Sequence, residues 1–289
     1  MAMTEKITIG DYVVTVLSDG YSNLPPSAYP GADFSRFPHL LGENGTYRIR
    51  IGAHLVQGPA GTFLIDAGAG ELDMPFPAEL AAANRLSNPP QNMASAGNLP
   101  AALTAAGVTP EDVTGIFITH LHLDHIGWLI KDGAPYFPNA TAYYGAEDWA
   151  LLVDAVAEDD PARVLMHQAD KAGILRTYEP GDYELFPGLS VLHVPGHTPG
   201  HVMLALESGG QKLWFTGDLI ELPGQLTDRH IHFMTDVDRD LATNARDRLF
   251  AQAKKEQIII AAAHLTNPSF RKITANDTWT DATTNAVTA

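Results

Sequence analysis

Residues 120–125 read His120-Leu-His122-Leu-Asp124-His125, three imidazoles and one carboxylate within six positions, directly after the apolar run Ile116-Phe-Ile-Thr119. On extended chain leaving a strand, residues two apart point the same way. His120 and His122 can therefore grip one ion, and Asp124 and His125, at the turn beyond, are placed for a second. Imidazole suits Zn, Fe, Co or Ni, and added carboxylate admits Mn. Four donors in one turn do not complete two sites. Three further apolar runs deliver donor side chains at their exits: Val191–Pro195 leads to Gly196-His197-Thr-Pro-Gly200-His201, Leu213–Thr216 to Gly217-Asp218, and Ile258–Ala263 to His264. Gly196 and Gly217 precede two of these donors and permit backbone angles closed to other residues.

Short β-branched or apolar runs predict the strands that must carry these exits: 12–17, 47–51, 54–57, 62–65, 116–119, 140–144, 190–194, 202–207, 212–215 and 258–261. Helices are expected over 99–106, closed by Gly107, and over 239–254, where Leu241, Ala245, Leu249 and Ala253 recur at steps of four. Segments 147–156 and 162–172 also read as helical. Strands come first as meanders and later alternate with helices, which predicts a layered α/β arrangement. The Pro-rich stretches 24–30 and 88–100 read as loops rather than linkers, so one domain over 1–289 is expected, with the tail over 275–289 frayed.

The chain has 289 residues, 18 Lys+Arg against 34 Asp+Glu, a net charge of −16 and no cysteine. The acidic balance, without a basic block, argues against nucleic acid and anionic membrane surfaces as partners. No apolar run approaches the ~20 residues of a membrane span, and the start shows no secretory signal, so a cytoplasmic location is the expectation. Without thiolates, any metal must be held by His, Asp or Glu.

The ordered set His120-x-His122-x-Asp124-His125, His197, Asp218, His264 resembles the metallo-β-lactamase superfamily of binuclear hydrolases, over roughly residues 12–264. The resemblance implies an αββα sandwich, two mixed β-sheets packed face to face with helices on the outside. It implies two divalent ions, zinc first with Mn, Fe or Co as alternatives. His120, His122 and His197 would hold one ion, Asp124, His125 and His264 the other, and Asp218 would bridge them. Leu17-Ser-Asp-Gly20, Ile65-Asp-Ala-Gly68 and Gly196–His201 look most like the branch of quorum-quenching N-acyl-homoserine lactonases and methyl-parathion-type organophosphate hydrolases. Some lactonases of that branch carry Tyr three residues after the bridging Asp, and this chain has Glu221 there. A homodimer is implied by the same likeness.

The expected chemistry is hydrolysis of a lactone or small uncharged ester by a metal-bridging hydroxide, since zinc brings bound water to a pKa of about 7. Asp218 would serve as the bridge and Asp124 as proton shuttle to the leaving alkoxide. Asp66 and His201 are candidates to fix ligand tautomers from behind. Loops at 24–30, Phe34, Phe37, 128–136 and 220–234 are expected to wall the substrate pocket, with Trp128, Ile220, Glu221, His230 and Phe233 foremost. A phosphotriester hydrolase is the alternative on the same site. A mononuclear iron-dependent oxygenase is disfavoured by the complete second donor set, and a non-catalytic module by the cost of burying His and Asp without metal. His39, His54, His167, His193, His230 and His232 read as structural or surface residues, His193 as packed mid-strand.

Overall fold

The computed structural model describes residues 5–266 and 268–283. Its strands, in chain order, are β1 (Lys6–Ile9), β2 (Tyr12–Leu24), β3 (Tyr47–Gly58), β4 (Gly61–Ile65), β5 (Leu72–Pro75), β6 (Asn92–Ala96), β7 (Gly115–Phe117), β8 (Ile130–Lys131), β9 (Ala134–Pro135), β10 (Thr141–Tyr144), β11 (Leu175–Thr177), β12 (Tyr183–Phe186), β13 (Leu189–His193), β14 (Val202–Ser208), β15 (Gln211–Phe215), β16 (Ile259–Ala261), β17 (Phe270–Ile273) and β18 (Trp279–Asp281). Its α-helices are α1 (Ala78–Ala83), α2 (Leu99–Ala105), α3 (Leu123–Ile126), α4 (Pro161–Lys171) and α5 (Arg239–Glu256).

One mixed sheet runs β11-β10-β7-β4-β3-β2-β6-β5, with β1 on β2; the other runs β12-β13-β14-β15-β16-β17-β18. Strand alternation builds three apolar layers. Phe63 and Ile65 of β4 and Phe117 of β7 face Val202, Leu204 and Leu206 of β14 and Leu213 and Phe215 of β15, and this layer fills the space between the sheets. The opposite faces carry the intervening residues. Leu64 and Ile116 pack with Leu99 and Leu103 of α2 and with Met166 and Ala169 of α4. Met203, Trp214 and Ile260 pack with Ala245, Leu249, Phe250 and Ala253 of α5. This is the αββα sandwich expected. No described helix is long and apolar enough to cross a membrane.

Several local expectations are corrected. The runs 47–51 and 54–57 are one strand, β3, which follows the long β2 past a register shift at Ser18/Gly20. Segment 147–156 is two short turns, 3-10 over Ala146–Asp148 and π over Ala150–Asp154, not an α-helix. On α5 the step of four drifts about 40° per repeat around a 3.6-residue helix. The buried face therefore follows Ala242, Ala245, Arg246, Leu249, Phe250 and Ala253, and Leu241 is 46% exposed. The segment expected to fray is ordered through Thr283: β18 pairs with β17, and Trp279 Nε1 donates to Pro223 O at 2.9 Å. Residues 284–289 lie outside those described.

Candidate metal centre

In the first sheet β4 runs parallel to β7, and in the second β15 runs parallel to β16, so the exits of each pair share one end. The backbone bond from Val202 N to Thr119 O, 2.9 Å, ties the loop after β7 to the start of β14 across the two sheets. The strand expected over 116–119 ends at Phe117, and His120 and His122 stand on the loop into α3. They still converge, but through different ring atoms: His120 Nε2 lies 2.9 Å from His122 Nδ1, which lies 3.1 Å from His197 Nε2.

Asp218 is the centre of the arrangement. Its Oδ2 lies 3.5 Å from His120 Nε2, 3.5 Å from His197 Nε2, 3.3 Å from His125 Nε2 and 3.2 Å from His264 Nε2. Asp124 reaches His125 Nε2 at 3.7 Å and His264 Nε2 at 3.6 Å. The donor atoms of His120, His122, His197 and Asp218 lie within 4.8 Å of one another, as do those of Asp124, His125 and His264. His120, His125, His197, Asp218 and His264 are buried, while the side chain of Asp124 is 29% exposed.

These residues fit a pair of divalent cations on the chemistry of the donors. Two donors about 2.1 Å from one ion at a tetrahedral angle lie roughly 3.4 Å apart, the spacing found around Asp218. Three further contacts orient the rings. His197 Nδ1 bonds Asp236 Oδ1 at 2.9 Å, His125 Nδ1 bonds Asp66 Oδ2 at 2.9 Å, and His264 Nδ1 donates to the carbonyl of Arg50 at 2.6 Å. With Nδ1–H engaged, each ring turns an Nε2 lone pair toward Asp218. Bare lone pairs and a carboxylate so close repel unless a proton or a cation lies between them. The buried atoms His125 Nε2 and Asp218 Oδ1 make no hydrogen bond, and orphans of this kind call for an occupant.

The titration behaviour follows. Burial, aided by the charge of His125, holds His120 well below the ordinary imidazole range, and burial with the charge of His197 takes His122 down to about 3. Burial lowers His125 and His264, but the surrounding acids together outweigh it and raise both, Asp218 first, with Asp124 at each and Asp66 at His125. Burial raises Asp218, yet His125, His264 and His120 outweigh it and hold the carboxyl well below the usual range. A cation would take over the role of those protons.

Asp66 and His201 were expected to act behind the donors. Asp66 sits at φ +62°, strained for a residue with a side chain, and accepts from Thr119 N and Thr119 Oγ1 as well as meeting His125. His201 Nε2 accepts the backbone N–H of Asp218 at 3.2 Å. The two glycines behave as expected: Gly196 has φ +148° and Gly217 φ +49°, and a Cβ on Gly217 would meet His201 Nε2 at 2.7 Å.

Sequence reasoning missed Asp236, the partner of His197, whose Oδ2 also accepts Phe233 N at 3.0 Å. It also missed Asp148, which joins the two donor loops by accepting from Leu121 N, Thr198 Oγ1 and Gly200 N. Both are single acids in ordinary-looking segments, so neither spacing nor motif marks them.

The expected pocket residues divide. Phe233 stacks on His197, ring centres 6.1 Å apart, and packs at a tilt against Tyr29, which meets Phe34 and Tyr47 edge-on. Phe37, Leu222 and Ile231 complete this apolar cluster from loops 24–41 and 220–233. Glu221 is wholly buried beside Asp218. Trp128 and Ile220 belong instead to the core: Trp128 is 1% exposed and donates to Asp19 Oδ2 at 3.0 Å, and Ile220 packs against the α5 layer. His230 is exposed at a turn. His193 is half-buried at the end of β13, with its side chain 22% exposed and 3.9 Å from Asp182, because the strand stops there. A cavity of about 690 Å³ opens between β2, β3 and α2, past Arg48, Arg50 and Asn98, and none of the seven converging side chains lines it.

The sequence pattern of the metallo-beta-lactamase superfamily matches residues 52–264. An N-acyl homoserine lactonase of Bacillus thuringiensis is 31% identical over 164 residues, 56% of this chain and 60% of its own length. One from Bacillus sp is 32% identical over 111 residues, 37% of this chain and 38% of its own length. The chain therefore spans less than two thirds of the curated relatives it matches. Among solved structures, hydrolase AbOPH of the beta lactamase superfamily superposes with TM-score 0.77 at 26% identity, covering 96% of this chain and 97% of that one. The dizinc quorum-quenching lactonase AidC, in complex with a product, shares the fold with TM-score 0.77 at 23% identity, 96% of each chain being covered.

Proposed function

The chain belongs to the metallo-β-lactamase superfamily, and from that premise we propose that it is a binuclear metal-dependent hydrolase that opens lactones or cleaves related small, uncharged esters. The observation that carries the reading is the position of Asp218, one carboxylate oxygen within 3.5 Å of ring nitrogens from both donor groups. His120, His122 and His197 would hold one ion and Asp124, His125 and His264 the other, with Asp218 shared. Two bound divalent cations supply Lewis acidity toward a carbonyl oxygen and acidify water at neutral pH. Zinc is the first ion to test, because the set is rich in imidazole.

The chain's own residues do the rest. Asp236, Asp66 and the Arg50 carbonyl hold protons on the Nδ1 atoms of His197, His125 and His264, which keeps the Nε2 atoms free to coordinate. Asp124 is the one partly exposed carboxylate of the seven, so it can carry a proton to the departing alkoxide and exchange it with solvent. The partly buried rings of Phe34 and Phe233, backed by buried Tyr29 and Tyr47, favour an apolar acyl part over a charged one. The lactonase names of the relatives make acyl-homoserine lactones the first substrates to try.

The test is a substrate panel on chelated protein reloaded with Zn, Mn or Co. It holds acyl-homoserine lactones of several chain lengths, simple γ- and δ-lactones, aryl esters, a phosphotriester and a β-lactam. Lactone or ester turnover that needs metal supports the reading; phosphotriester turnover alone, or none, overturns it. His122→Ala should lose one ion and all turnover, and wild-type-like turnover in that variant would show the donor assignment to be wrong.

A further inference from the structure

We infer that Glu221 is a ligand of the metal centre, a third carboxylate on the side of Asp124, His125 and His264. The inference rests on the binuclear reading above and deepens it. Glu221 is 0% exposed, and neither Oε1 nor Oε2 has a hydrogen-bond partner. A carboxylate buried with both oxygens unpaired is costly and seldom retained without a cation. Donor atoms of Asp218, Glu221 and His264 lie within 4.8 Å of one another, a span one ion can bridge.

The surrounding chain fixes the backbone at this position. Glu221 N and Leu222 N both donate to Gln225 Oε1, at 2.9 and 3.1 Å, and Gln225 Nε2 donates to Ile231 O. The buried guanidinium of Arg246 is engaged with the carbonyls of Leu219 and Ile231 and lies 3.8 Å from Asp236. The carboxyl thus stands at a turn three residues after the shared Asp218, against that second acid and without a hydrogen bond from any backbone N–H, hydroxyl or cationic side chain.

The consequence is two unlike sites. One has three imidazoles and the shared carboxylate. The other has two imidazoles, Asp124, Glu221 and the shared carboxylate. Oxygen-rich sets favour Mn and other hard ions relative to imidazole-rich ones, so Glu221 should set which second metal the chain accepts.

The experiment uses metal-stripped full-length chain as wild type, Glu221→Gln, Glu221→Leu and, as control, His122→Ala. Each is titrated with Zn, Mn and Co against a competing chelator, with metal counted by elemental analysis and Co(II) followed by its visible absorption. For both Glu221 variants the first ion should bind as in wild type. The second should bind at least about tenfold more weakly, with Mn losing more than Zn, and the band of the second cobalt should intensify as its coordination number falls. Removing a buried carboxyl that no backbone N–H, hydroxyl or cationic side chain bonds should leave the stripped variants at least as heat-stable as wild type. Unchanged second-ion affinity and an unchanged cobalt band would overturn the assignment, as would a lowered Tm of both stripped variants, which would mean that the carboxylate makes a structural contact. Wild type binding fewer than two ions, or His122→Ala keeping both, would instead sink the binuclear reading beneath it.

Discussion

Asp236→Asn separates ring orientation from ligand identity. Asp236 Oδ1 meets His197 Nδ1 at 2.9 Å, Oδ2 accepts Phe233 N at 3.0 Å, and the side chains of Asp236 and His197 are fully buried. Asparagine keeps the shape but offers one acceptor. Either its NH₂ faces the N–H of Phe233, loosening the loop that stacks on His197, or it faces His197 and drives the ring proton to Nε2, where the metal should bind. Loss of such an orienting partner typically costs 10–100-fold in metal affinity, which is about 1.4–2.7 kcal/mol. The loss should fall on the ion of His120, His122 and His197, because His125 and His264 are oriented independently by Asp66 and Arg50. Stepwise Co(II) titration of stripped protein against a chelator measures both constants. Equal weakening of both ions, or no weakening, would refute the claim that Asp236 acts through the tautomer of His197.

Other outcomes follow from the same geometry. In stripped protein, buried His54, His120, His122 and His201 resist protonation, so below about pH 6.5 the unfolded chain binds more protons and stability falls with acid. Glu221, raised by burial and then by Asp218, opposes this weakly from the acid side. Above that pH, folded His125, His264 and Glu221 keep protons that the unfolded chain has released, so stability falls again. The Tm of stripped protein should peak near pH ~6.5 and metal should flatten the alkaline side; a Tm rising steadily to pH 9 would contradict this. Gly107→Ala meets φ +76° but open space, whereas Gly217→Ala meets φ +49° and atoms 2.7–2.8 Å away. Denaturant melts should show about 1–2 kcal/mol lost in the first and more in the second, with metal lost in the second alone. Leu249→Ala, in the α5 core, should cost about 2–5 kcal/mol, while Leu241→Ala should stay within about 0.5 kcal/mol; reversal of that order would mean that α5 presents the other face.

The donors were legible because they are rare residue types crowded at the ends of apolar runs, and a metal needs such types whatever the fold around it. The layers were legible where alternation is strong, as in β14 and β15. Strands at or next to a sheet edge, such as β5, β6, β12 and β18, were not, because half-exposed ladders need no apolar pattern and are fixed by their partners: Leu72 pairs with Ala96, and Trp279 with Ile273. The pocket was the least legible. Trp128 looked like a pocket wall, yet its indole N–H is held by Asp19, more than a hundred residues away. No local signal reports a bond of that span.

The same distance hides from the sequence the bracing role of acids such as Asp19, Asp148 and Asp236. A net charge of −16 suggests a solvated negative coat, but Asp19, Asp66, Asp148, Asp218, Glu221 and Asp236 are all buried. Asp19 alone accepts from Ala69 N, Gly97 N, Leu99 N and Trp128 Nε1, fastening β2 to the β4 exit, to the start of α2 and to the segment after α3. Asp148 does the same for the loops carrying His120 and His197. A carboxylate accepting several N–H bonds costs far less to bury than a bare one, and it can gather loops that share no apolar surface. Candidate donors on four separate chain segments can therefore meet at one point: Asp19, Asp66, Asp148 and Asp236 brace the loops that bring them there, and Asp218 and Glu221 are the buried acids that the proposed cations would balance.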